Sequence, residues 1–149
     1  MTLPHNKELK NKHGGIVKVG NYVYGDFDDR GRPWCANVMT GKVQWRRDGG
    51  GQGGGSACVT YADGRLYYRY QDGFMALVDA SPQSGFRQIS SFKIPDGMKQ
   101  SWPHPVISGG LLYLRGNDKI LCYDLRAAGA GPAKRLWKDS TGSFQICLL

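Results

Sequence analysis

Gly20-Asn-Tyr-Val-Tyr24, Gly64-Arg-Leu-Tyr-Tyr68 and Gly110-Leu-Leu-Tyr-Leu114 are three versions of one phrase, a glycine followed by a short apolar and aromatic run. Some 14 to 17 residues past each glycine stands Asn37, Asp79 or Asp124. The glycines are 44 and 46 residues apart, and the Asn/Asp positions 42 and 45. A period of roughly 40 to 50 residues with short strands inside each unit is the signature of β-propeller blades. The chain therefore reads as all-β, a partial propeller of about three four-stranded antiparallel sheets, with no segment of helical period.

Working outward from these phrases, the repeat region is 13–138, with blades at about 13–48, 56–94 and 102–138. Residues 1–12, polar and basic, are read as a disordered lead or a strand of a preceding blade, and 139–149 as a tail or closing strand. In the first blade, Gly15 to Val19 and Tyr22 to Tyr24 flank a Gly20-Asn21 turn, and Trp34 to Val38 and Lys42 to Trp45 flank Met39-Thr40-Gly41. The second blade runs through Ala57 to Tyr61, Leu66 to Tyr70, Phe74 to Asp79 and Phe86 to Ile94. The third takes Pro105 to Ile107, Leu111 to Arg115, Ile120 to Leu125 and Lys134 to Trp137.

The glycine run 49–55 between blades one and two matches G-x-G-x-x-G formally. That fingerprint holds pyrophosphate only between a strand and a helix, and here the strand-like Ala57-Cys-Val-Thr-Tyr61 follows, so the run is read as a flexible linker. Three blades in 149 residues fall short of the four to eight of a closed ring. Missing upstream sequence is the favoured explanation, with a ring closed by a second copy or an open arc as alternatives.

Twenty Lys+Arg against twelve Asp+Glu give a net charge of +8, which would suit an acidic partner. The basic residues are scattered, with no run longer than two, so nucleic-acid binding is not expected. The N-terminus lacks the apolar core of a secretory signal, and no stretch approaches the roughly 18 apolar residues of a membrane span. If Met1 is the true start, that places the chain in the cytoplasm. Cys35, Cys58, Cys122 and Cys147 show no zinc spacing, and no metal site is expected. Cys35 and Cys122 each precede the Asn/Asp position by two residues. They are read as small buried thiols, with a disulfide or a reactive thiol as alternatives.

The segment Cys35-Ala-Asn37-Val-Met-Thr40-Gly41-Lys42-Val-Gln-Trp45 resembles the tryptophan-docking repeat of the pyrroloquinoline-quinone-like (PQQ-like) propellers. In that repeat a small residue, Asp, Thr-Gly and Trp recur at this spacing. Cys122-Tyr-Asp124 repeats its first half, with Trp137 as a displaced indole, and Leu77-Val-Asp79 does so loosely, with Phe92 in the tryptophan's place. His13-Gly-Gly-Ile-Val, Val59-Thr-Tyr-Ala-Asp-Gly64 and Ser101-Trp-Pro-His-Pro-Val106 resemble the C-terminal part of bacterial proteins carrying this propeller. The resemblance implies a periplasmic or cell-envelope protein. It also implies blade-docking roles for Asn37, Thr40, Gly41, Trp45, Asp79 and Asp124, in which the indole lies on a neighbouring turn and the Asn/Asp caps its own.

Some relatives are quinoprotein dehydrogenases, and others use the same propeller only as a docking surface. PQQ and Ca²⁺ therefore enter by resemblance alone, and no cofactor is predicted from the residues. No catalytic residue is assigned, because the chain has no paired carboxylates in an apolar context. Nor has it adjacent cysteines to match the vicinal disulfide of those enzymes. Asp26, Asp28 and Asp29 gather in a loop read as solvated. Aligning Gly20 with Gly110 sets His104 opposite Gly14, so His13 and His104 both stand at the entry to a first strand, with Trp102 two residues away. These three are the candidate ligand-binding residues. The expected function is a noncatalytic scaffold binding protein or ligand, with other blades of the same protein or a second copy as partners and a separate protein partner also open. The alternatives are a fragment of a PQQ-dependent dehydrogenase and a small-molecule or sugar-binding propeller.

Overall fold

The computed structural model describes residues 9–27, 30–48, 51–95, 102–116 and 120–126, together with the backbone of Ile146–Cys147. Each repeat folds as a separate sheet. The first is β1 (Val17–Val19), β2 (Tyr22–Asp26), β3 (Pro33–Asn37) and β4 (Val43–Arg46), in that spatial order and antiparallel throughout. The second repeats it with β5 (Ala57–Ala62), β6 (Arg65–Tyr70), β7 (Phe74–Asp79) and β8 (Gln88–Lys93). The third has β9 (Val106–Ser108), β10 (Leu111–Arg115) and β11 (Ile120–Asp124) antiparallel. Its fourth place is taken by the tail strand β12 (Ile146–Cys147), parallel to β11, so this blade departs from the all-antiparallel expectation at its outer edge. The strand expected at 134–137, Trp137 with it, lies outside the described residues.

Two-residue turns set the register of the inner hairpins: Val19 pairs with Tyr22, Ala62 with Arg65 and Ser108 with Leu111. Asp63 and Gly64 both take positive φ, as do Gly109 and Gly110, the left-handed pair that joins twisted strands without splaying them. Asp63 is the non-glycine residue among the described ones that accepts this conformation, and its short polar side chain tolerates it.

The sheets stack face to face, and their alternating residues fill two cores. Between blades one and two lie Tyr24, Cys35 and Trp45 from one sheet and Val59, Leu66, Tyr68, Ala76 and Val78 from the other. Between blades two and three lie Met75, Ile94, Leu112, Leu114, Leu121 and Tyr123, flanked by Tyr67 and Phe92.

The glycine run is not a loose linker over its described part. Arg47 Nη1 donates to the carbonyls of Gln52 and Gly53, and Nη2 donates to Gly51 O at 3.0 Å, so the loop wraps a guanidinium. Gly53, at φ +99°, sits so close to the Tyr70 ring that a Cβ would fall 2.2 Å from it. Carbonyls crowding a fixed cation hold a segment that composition alone marks as free.

Candidate functional site

Strand register decides which residues are equivalent. Val17 pairs with Tyr24, Thr60 with Tyr67 and Val106 with Tyr113. Counting back from these pairs makes His13, Ser56 and Trp102 one position, Gly14, Ala57 and Pro103 the next, and Gly15, Cys58 and His104 the third. His104 thus stands opposite Gly15, not Gly14 as glycine matching suggested. The first blade turns on Gly20-Asn21 and the third on Gly109-Gly110, so Gly20 corresponds to Gly109.

All three candidate residues meet at the blade entries. The His13 ring stacks on Trp102 with centroids 5.8 Å apart and planes 24° apart. His104 lies against Gly15, where a Cβ would be 3.0 Å from its Cε1. Both histidines are exposed, and half of Trp102 is. Beneath them Gly14 is buried, and a Cβ there would fall 1.6 Å from Ala57 O, so only glycine fits. The result is a shallow, open surface depression lined by His13, Gly14, Ser56, Ala57, Cys58 and Trp102. Blades one and three thus touch over the entry of blade two.

Two buried polar residues that sequence reading left unassigned brace this floor. Asp26 ends β2, and its Oδ2 accepts the N–H of Ala57 at 3.0 Å. The equivalent residue of blade two is Arg69, whose Nη1 donates to Pro103 O at 3.1 Å. The polarity inverts because Ala57 and Pro103 are equivalent, and proline has a carbonyl but no N–H. Burial pushes the Asp26 carboxyl up to about 7, against the N–H bond from Ala57 and the charge of Arg47. Burial lowers the pKa of Arg69, and the neighbouring Cys58 and Tyr123 oppose that shift. The pairing of Asp with an N–H and of Arg with a proline was present in the sequence, but only hairpin register exposes it. Asp26 is therefore a buried brace and not part of a solvated loop; Asp28 and Asp29 lie outside the described residues.

The docking residues do structural chemistry. Asn37 Oδ1 accepts the N–H groups of Met39 and Thr40 at 2.8 and 3.1 Å, closing the turn in which Gly41 takes φ +71° and Thr40 Oγ1 accepts Lys42 N–H. Asp79 does the same for Ser81 N–H, and Asp124 for Arg126 N–H. Trp45 crosses to blade two, where its Nε1–H donates to Ser81 O at 3.2 Å, beside the Tyr24 hydroxyl, which donates to Ala80 O. At the second joint Phe92 takes the indole's place and packs on Tyr123 at 4.8 Å. Hydrogen bonds from Arg87 hold Asp79 below its ordinary range, and those from Arg126 hold Asp124 at about 2.

Cys35, Cys58 and Cys122 are free thiols, and burial pushes the first two up to about 11. Among the described residues no three His, Cys, Asp or Glu side chains gather as a metal site. The recess offers imidazole, hydroxyl, thiol and indole, whereas Ca²⁺ takes six to eight oxygens, so its donor set does not fit that ion or a quinone held through it. No described helix is long and apolar enough to cross a membrane.

No protein-family model matches the sequence, and no curated protein matches it. Solved structures do. The quinohemoprotein alcohol dehydrogenase from Comamonas testosteroni superposes with a TM-score of 0.59 at 18% identity, over 80% of this chain and 20% of that one. A europium-containing methanol dehydrogenase gives 0.58 at 15%, over 77% and 23%. BamB from Moraxella catarrhalis gives 0.51 at 18%, over 70% and 29%. This chain thus spans less than a third of each of these three proteins, and identities this low speak for fold alone. Three stacked sheets with an indole of one blade hydrogen-bonded to the next, superposing on these proteins, give the chain the fold of an array of β-propeller blades, similar to theirs.

Proposed function

We propose that this chain is a noncatalytic part of a larger propeller, and that its blade-entry mouth binds a protein or small ligand. One observation carries the reading: His13, Trp102 and His104, from two different blades, converge over the entry of a third. A half-exposed indole beside two imidazoles is a recognition surface, apolar on its faces and hydrogen-bonding at its edges. The motif residues elsewhere are engaged in closing turns and docking blades, which favours a scaffold over a reaction centre. Placement in the periplasm or cell envelope accords with the PQQ-like resemblance. BamB among the neighbours favours a protein occupant.

The test replaces Trp102 by a photo-crosslinking residue, with exposed Gln44 on the outer strand β4 as control. An adduct that forms from position 102 and not from 44, and that Trp102→Ala protein fails to compete away, supports the mouth as the binding surface. Equal labelling from both positions sinks it. A second reading, a fragment of a quinoprotein dehydrogenase, is favoured by the two dehydrogenase neighbours. Its reaction centre would lie in other blades, and quinone-dependent dye reduction by the whole protein would establish it.

A further inference from the structure

Asp26 is the one buried acid among the described residues, 3% exposed at the joint of blades one and two. Its Oδ2 accepts the Ala57 N–H, while Oδ1 meets no hydrogen-bond donor among the described residues. A neutral carboxyl accepts that bond through its carbonyl oxygen. A carboxylate in the same place is a charge withdrawn from water, which one neutral N–H compensates poorly. Ala57 is also the floor of the mouth. Its carbonyl lies against Gly14, His13 precedes Gly14 and stacks on Trp102, and Ala57 lines the depression between Ser56 and Cys58. One hydrogen bond therefore joins the buried acid to the segment that carries the exposed rings.

The described groups that face Asp26 do not share its titration. Arg47, at the end of β4, keeps its proton throughout. Burial pushes the Cys58 thiol of β5 up to about 11. It also raises the hydroxyls of Tyr68 and Tyr70 on β6, of which Tyr68 donates to the neighbouring Gly25 O. Burial brings the Asp26 carboxyl itself to about 7, whereas in water it would ionise near 3.8. Freeing the carboxyl thus releases a proton. Rising pH favours the freed form from about 4 up to about 7 and adds nothing above that.

We propose that Asp26 is a proton-operated latch of the blade-entry mouth: protonated, it seats Ala57 and with it Gly14, His13 and Trp102, and ionised, it lets them loosen. The mouth is firm in mild acid and slack at neutral pH and above. As a control on binding, the latch rests on the reading of the mouth as a recognition surface. Its test needs no occupant, so the two readings fail separately.

The test is amide hydrogen exchange of the whole chain by NMR at pH 5, 6, 7 and 8, with each rate corrected for the base catalysis of exchange. The Ala57 protection factor falls more than about tenfold from pH 5 to 7 and levels off by pH 8, while Leu66 and Tyr68 on β6 stay protected. Asp26→Asn still accepts the Ala57 N–H but cannot ionise, and its Ala57 protection stays flat. The mouth is read by the fluorine resonance of 5-fluorotryptophan at position 102, assigned with Trp102→Phe. Any change of charge on His13 or His104 is common to wild type and Asp26→Asn, so the difference between their two curves isolates the latch. Ala57 protection that ignores pH, an equal fall in Asp26→Asn, or coincident Trp102 curves would each overturn the proposal. Should Asp26→Asn not fold, the wild-type Asp26 carboxyl carbon decides: it must titrate together with Ala57 protection, and a carboxyl already ionised at pH 5 sinks the latch.

Discussion

Trp45 has two attachments to the second blade, and they separate by substitution. Its ring packs between Tyr24 and Phe86, with centroids 5.9 and 5.8 Å away, and its N–H reaches Ser81 O. Trp45→Phe keeps most of the packing and loses the bond, costing about 1 kcal/mol. Trp45→Ala leaves a cavity and costs about 3–5 kcal/mol. Urea denaturation of the two variants measures both terms, and equal losses would show that the ring contributes little. Asp26 makes a prediction of opposite sign to the usual carboxylate. Its folded pKa of about 7 stands above the ordinary 3.8, so its contribution to stability is fully present below pH 3.8 and is lost as pH rises to 7. The shift corresponds to on the order of 4 kcal/mol across that window. Asn can still accept the Ala57 N–H but cannot ionise, so Asp26→Asn gains on wild type steadily from pH 4 to 7. Denaturation at a series of pH values tests this, and a constant gap would mean that Asp26 ionises freely in the fold.

At the scale of elements, chemistry placed at a strand end or in a loop does what composition hides. The glycine run reads as slack chain because glycine permits every conformation, yet Arg47 gathers its carbonyls and lies 5.8 Å from both the Tyr70 and Phe86 ring centres. Arg47→Ala removes several charge-assisted bonds at once, destabilising by about 1.5–3 kcal/mol and releasing the loop. Amide hydrogen exchange at residues 51–56 should then speed markedly while β6 and β7 stay protected; unchanged exchange would mean that glycine packing on Tyr70 holds the loop alone. The Asx turns were legible in advance, since Asn or Asp followed by a short turn announces its own hydrogen bond. The entry loops were legible only in part. Which side chain faces which depends on a one-residue difference in turn position, and that slip moves every equivalence along the strand.

For the molecule as a whole, two joints among three blades bury four of the six sheet faces and leave two. Cys35 and Cys122 occupy equivalent places, beside Tyr24 and Tyr113. The first is wholly buried by blade two, and the second is only half-buried. Ile120 and Val106 on that third blade are 52% and 57% exposed, as is Ile16 on the first at 57%. Apolar sheet surface of this kind seeks a partner in water. Light scattering on a sizing column should show concentration-dependent association above 16.5 kDa, suppressed by Val106→Lys with Ile120→Lys. A wild-type monomer at high concentration would mean that these faces need no further blade.

The sequence by itself determined the all-β blade architecture, its period and its turns, because these rest on local conformational preference and alternation that each repeat carries alone. The run of eleven residues from Cys35 to Trp45 also carried the resemblance that implies docking roles for Trp45 and the Asn/Asp positions. Only the tertiary structure decided that His13 meets Trp102 and that Asp26 and Arg69 brace successive joints with opposite polarity. Both bracing side chains are buried, and only the packing of one blade on the next shows it. These outcomes depend on how one sheet lies upon the next, where burial sets the cost of a charge and register sets its neighbour, and neither is written in any single stretch of chain.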